Sequence, residues 1–228
     1  MKNLYPNIAL LGLLAVLGGI SPVLGTTVSP GAIAQNNAQN WLTSAQQKAS
    51  QGDLQGALQD YAQAIAQNPN SPEAYISRGN LLSRTGNQAG AIADYTQVLR
   101  LNGNNIDAYI GRASAHSMMQ NYDAALEDYN AALRLNPNYG EAYIGRGGVY
   151  AFKEEYKKAM DDFNQALRLN PAEAAAYYNR GGVQLLQEKN QEAIADFQQA
   201  AELFRAQGNM ALAQRSEAIA REIQQGNN

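Results

Sequence analysis

Residues 106–139 read IDAYIGRASAHSMMQNYDAALEDYNAALRLNPNY, and the next 34, residues 140–173, read GEAYIGRGGVYAFKEEYKKAMDDFNQALRLNPAE. The two lines align without a gap, and their register extends in both directions. Trp41, Tyr75, Tyr109, Tyr143 and Tyr177 follow one another at intervals of 34 residues. Sixteen residues after each stands an alanine: Ala57, Ala91, Ala125, Ala159, Ala193. Four further on comes a second aromatic: Tyr61, Tyr95, Tyr129, Phe163, Phe197. A small residue follows each first aromatic by four, at Ala45, Gly79, Ala113, Gly147 and Gly181. Pro69, Pro137 and Pro171 close three of the units, with Gly103 in the equivalent place. A fixed period of this length marks a repeat architecture. It divides residues 35–207 into five units, 38–71, 72–105, 106–139, 140–173 and 174–207.

These residues resemble the tetratricopeptide repeat family, whose 34-residue unit is a helix, a turn and an antiparallel helix. The resemblance covers about 38–207 and implies an all-α, right-handed superhelical solenoid of helix pairs. The columns have a direct physical sense. A small residue on the first helix lets the second approach closely, and the alanine with an aromatic one turn later fills that contact. Gly52-Asp53 and Gly86-Asn87 suit the tight turn between helices, because glycine adopts positive φ without steric cost. The last repeat needs a cover, and residues 208–228 supply a candidate capping helix over Asn209–Gln225 with Leu212, Ile219 and Ile223 at helical spacing. The polar stretches Gln35–Asn40 and Gly226–Asn228 read as loose ends.

Residues 1–34 read as a secretory signal peptide. Lys2 forms a positive n-region, Ile8–Ile20 an uncharged apolar run, and Gly31-Ala32-Ile33-Ala34 a small-residue cleavage motif before Gln35. The apolar run is short beside the roughly 20 residues of a bilayer span. The expected location is therefore secreted, periplasmic or thylakoid-lumenal, with a cut after Ala34, and with a membrane partner only if the leader is retained as an anchor. Losing Lys2 takes the net charge from −3 to −4. No basic stripe offsets phosphate charge, which argues against nucleic acid. The chain has no cysteine, which excludes disulfides and thiolate metal sites.

No catalytic constellation is readable, and neither a metal site nor a cofactor is expected. His116 is the only histidine and stands eleventh in its repeat, where a packed side chain is the expectation. The pairs Asp161-Asp162 and Glu154-Glu155 consist of helix neighbours pointing about 100° apart, so they share no site and read as solvated faces. The glycines of Gly145-Arg146-Gly147-Gly148 occupy repeat positions, and no strand precedes them as a phosphate loop would need. Two charge columns also follow the repeat. Arg78, Arg112, Arg146 and Arg180 precede the small residue, and Asp60, Asp94, Asp128, Asp162 and Asp196 precede the second aromatic. They read as structural pairs, within or between repeats, with Ser44 standing in for arginine in the first unit.

The resemblance implies that function resides on the concave face lined by first helices. The residues it places there are Ile76, Asn80, Arg84, Ile110, Ser114, Met118, Ile144, Phe152, Tyr178 and Leu186. Members that grip a C-terminal carboxylate use lysine where this chain has isoleucine, and Asn80 alone does not make that clamp. The implied partner is a protein or peptide client, extended or helical and apolar in character, rather than an acidic tail or a small-molecule substrate. The chain thus reads as a non-catalytic scaffold or assembly factor. The alternative is a structural subunit of a stable oligomer, and family members that serve photosynthetic complex assembly suggest one such setting.

Overall fold

The computed structural model describes residues 30–226, which form eleven helices and no strand. They fall into pairs: α1 (Pro30–Ser50) with α2 (Leu54–Gln67), α3 (Pro72–Arg84) with α4 (Gln88–Leu101), α5 (Ile106–Met118) with α6 (Tyr122–Leu135), α7 (Gly140–Phe152) with α8 (Tyr156–Leu169), and α9 (Ala174–Leu186) with α10 (Asn190–Ala206). The final helix, α11 (Met210–Gly226), packs against α10. Each helix packs on the next along the chain. First helices also meet one another, α3 with α5, α5 with α7 and α7 with α9, and second helices make no comparable contact among the described residues. First helices therefore crowd the inside of the curve, and second helices form the outside. This is the all-α solenoid expected from the repeat.

Local sequence sets several helix starts. Asp53 accepts a hydrogen bond from the Gly56 amide, Asn87 from Gly90 and Asn105 from Ala108, each capping an otherwise unsatisfied N–H group. Pro72 enters α3 at its first turn, where a missing N–H costs nothing. Between helices of a pair, Gly52 and Gly86 have φ of +86° and +87°. The same position in the last three repeats carries Gln120, Glu154 and Glu188, with φ of 60–61°. The turn survives there without the residue type that signals it.

The core is one column of alternating rings and small residues. The five alanines from Ala57 to Ala193 are fully buried, and the second-helix rings from Tyr61 to Phe197 are at most 5% exposed. Tyr95 and Tyr129 each serve two repeats. Tyr129 lies within its own pair, and a Cβ added at Gly145 of the next first helix would fall 2.4 Å from it. Tyr95 meets Gly111 in the same way, at 2.5 Å. The glycines at 111 and 145 thus allow consecutive repeats to close on a tyrosine.

Both ends differ from the sequence expectation. Residues 35–40 belong to α1, with Ala38 buried, and Gly226 ends α11 rather than lying in a loose tail. Ala38 is held by tertiary packing that a short polar stretch does not announce. Ala213, Ser216 and Ala220 make the buried seam of the capping helix, flanked by half-buried Leu212, Ile219 and Ile223. The apolar run of the leader and Asn227–Asn228 lie outside the described residues, whereas Pro30–Ala34 belong to α1.

Candidate interaction groove

The arginine and aspartate columns orient the first helices. In every repeat from the second to the fifth, the arginine grips the aspartate of its own repeat through two nitrogens, as Arg146 does to Asp162 at 2.8 and 2.7 Å. From the third repeat on, the remaining Nη1 reaches back into the preceding repeat. Arg112 donates to Thr96 at 3.1 Å, Arg146 to Asn130 at 2.6 Å and Arg180 to Asn164 at 2.6 Å. Each guanidinium also lies over the first aromatic of its helix, 5.3–5.9 Å from the ring centroid. Asp161 is exposed and Asp162 buried, so only one of that pair is solvated. In the first repeat, Ser44 donates to Asp60 at 2.6 Å and Lys48 pairs with it at 2.7 Å. The bond from Lys48, then that from Ser44, holds the Asp60 carboxyl below its ordinary value.

With the first helices set side by side, their inner faces enclose a depression of about 540 Å³ lined by Asn80, Arg84, Ile110 and Ser114, together with Tyr95, Asp107, Tyr139 and Glu141. Four of the ten residues expected in the groove are thus brought together. Ile110 is nearly buried and forms floor rather than contact surface. Ile76 and Ile144 are half-buried in the adjoining core. Tyr178 turns its ring edge-on to Phe197 and Phe204, at 5.5 and 6.4 Å, and so belongs largely to the C-terminal core. Met118, Phe152 and Leu186 stand at the far ends of α5, α7 and α9, with 64%, 70% and 63% of their surface exposed. Phe152 stacks on Tyr122 at 5.9 Å. Three large apolar side chains this exposed occupy one repeat position, an apolar wall that continues the column of Arg84 and lies outside the lining of the depression itself.

The opposite wall was missed in the sequence. Glu73, Asp107 and Glu141 occupy the second position of three consecutive repeats, a column visible at the same step of 34. Tyr139 donates to Asp107 at 3.0 Å, and burial followed by that bond pushes its hydroxyl up to about 12. Partial desolvation, then the charges of Asp107 and Glu173, raise the Glu141 carboxyl above its ordinary value. Tyr95 donates to the Asn80 side-chain oxygen at 2.6 Å, leaving the Asn80 amide to face a partner as a donor.

His116 is half-buried and Gln184, the equivalent residue two repeats on, is buried; among the described residues neither the His116 Nδ1 nor the Gln184 Oε1 has a hydrogen-bond partner. Among the described residues, no cluster of three or more histidines or carboxylates could hold a metal ion. No described helix is long and apolar enough to cross a membrane.

Comparison with known proteins agrees with this geometry. A family profile described as TPR repeat matches residues 45–86 and 147–188, and profiles described as Tetratricopeptide repeat match 72–105, 106–139 and 174–207. A search of curated proteins finds no match. Among solved structures, a thermophilic TPR protein of Thermus thermophilus is similar with a TM-score of 0.69 and 24% identity, over 80% of this chain and 98% of that one. MamA of Desulfovibrio magneticus is similar with a TM-score of 0.66 and 23% identity, over 75% and 97%. YrrB, described as a TPR protein with an unusual peptide-binding site, is similar with a TM-score of 0.58 and 22% identity, over 84% and 99%. At these identities the structures speak for the fold, whereas the profiles cover each of the five repeats in whole or in part, and on that ground the chain belongs to the tetratricopeptide repeat family.

Proposed function

We propose that this protein is a non-catalytic scaffold outside the cytoplasm that holds a segment of a client protein against the inner faces of its first helices. The observation that carries this reading is the wall of Met118, Phe152 and Leu186, exposed in register across three repeats. Such side chains cost solubility unless a partner covers them, and methionine and phenylalanine suit an adaptable apolar contact. The peptide-binding site named for YrrB is a precedent on the same architecture. The extracytoplasmic location rests on the leader, Lys2 to Ala34.

The test is crosslinking and capture from native extract with the wild-type chain and a Phe152→Ser/Leu186→Ser variant of equal helicity. Both positions are exposed, so the fold should tolerate the change, unlike a charge at nearly buried Ile110. A client captured by the wild type and lost by the variant is the expected result. Equal capture would sink the groove reading. Light scattering on the same samples checks for a stable oligomer, and the intact mass of the native chain checks the cut after Ala34.

A further inference from the structure

We propose that the groove selects a cationic amphipathic helix, apolar toward Met118, Phe152 and Leu186 and basic toward Asp107 and Glu141. This rests on the groove reading above and adds the chemistry of the client. The two walls lie at opposite ends of the same helices. Asp107 and Met118 on α5, like Glu141 and Phe152 on α7, are eleven residues apart, about 16 Å at helical rise. A helix of roughly 10–12 Å diameter laid across the first helices fits between such walls with its side chains reaching both.

Spacing along the groove makes the match specific. Packed helices lie about 8–10 Å apart, and seven residues of helix advance about 10.5 Å. A client with Lys or Arg recurring every seven residues therefore meets successive carboxylates, while apolar residues at the same interval meet successive members of the apolar wall.

Charge favours a cation at this wall. Among the described residues none of Glu73, Asp107 and Glu141 forms an ion pair; Glu73 accepts from Gln46 and Asp107 from Tyr139. Partial desolvation first, and then the charges of Asp107 and Glu173, disfavour the ionised form of Glu141, and a bound cation offsets the charge repulsion. Arg84 is the one cation lining the depression, and it stands toward the second repeat, at the N-terminal end of the apolar wall. The excess negative charge lies at Asp107 and Glu141.

The experiment uses the full chain and three fluorescein-labelled, three-heptad helical peptides with one leucine face. Their opposite positions carry Lys, Gln or Glu, and binding is read by anisotropy at low and high salt. The Lys peptide should bind about tenfold more tightly than the Gln peptide at low salt, with the Glu peptide weakest. Asp107→Asn/Glu141→Gln should erase the Lys advantage, bringing the Lys and Gln peptides to equal affinity, and Phe152→Ser/Leu186→Ser should weaken all three. Equal binding of the Lys and Gln peptides, with loss in Phe152→Ser/Leu186→Ser, would overturn the charge selection while sparing the groove. A Lys advantage that persists in Asp107→Asn/Glu141→Gln would overturn it too, because the charge would then be read elsewhere on an acidic chain. Binding of no peptide, or binding indifferent to Phe152→Ser/Leu186→Ser, would overturn both readings.

Discussion

In the first two repeats, Gly52 and Gly86 make the turn between helices, and Asp53 and Asn87 then cap the second helix with their side chains. In the last three, Gln120, Glu154 and Glu188 hold the same left-handed turn, and Asn121, Glu155 and Lys189 make no side-chain cap bond. The long-range joints run the other way. Arg112, Arg146 and Arg180 tie their own repeat to the one before, whereas the first repeat makes do with Ser44 and Lys48 on Asp60. Glycine turns and side-chain caps thus belong to the first two repeats and arginine hydrogen bonds between repeats to the last three, while an ion pair on the repeat aspartate is common to all five. The apolar wall also lies in those last three repeats, two residues before each strained turn.

The largest way to break this contrast is Arg146→Ala. It strands the carboxylate of Asp162, only 5% exposed, and opens the link to Asn130. Removing one member of such a pair costs about 3 kcal/mol or more, and urea unfolding should show it as a lower midpoint. In the first repeat, Lys48→Met should cost only about 1 kcal/mol, because Lys48 is a third exposed and Ser44 remains on Asp60. That loss has a sign in pH. The folded Asp60 carboxyl is depressed, so its contribution is present above the ordinary aspartate range and disappears as pH falls through the depressed value. Wild type and Lys48→Met should therefore differ in Tm at neutral pH and converge in acid.

The smallest effect sharpens the comparison from the other side. Glu154→Gly should stabilise by about 0.5–1 kcal/mol, because the left-handed strain of a side chain exceeds the entropy that glycine loses on folding. The reciprocal Gly86→Ala should destabilise. Calorimetry on the pair measures both, and a loss of stability in Glu154→Gly would show that the turn is not strained.

The repeat period, the small residue opposite each ring and the pairing of arginine with aspartate were all legible in the sequence. They recur at one spacing, and 34 residues returns each column to the same place in the stack. The left-handed turns at Gln120, Glu154 and Glu188 were not legible, because no residue type there requires them and packing of the two helices imposes them. The groove was legible in part. Its apolar wall stands among the expected positions, but the acidic column at Glu73, Asp107 and Glu141 does not, because its members are single residues on separate helices and only the stacking brings them to one wall. Tyr178 looks like a groove residue by position and is drawn into the core by Phe197 and Phe204, which come from the next helix.

By itself, then, the sequence determined the architecture, because a period of hydrophobic and small residues is a one-dimensional code for a structure built by stacking. Only the tertiary structure decided which side chains the stacking leaves exposed and which charges it sets face to face. Those depend on the curvature of the solenoid and on distances between residues far apart in the chain, which no local pattern records.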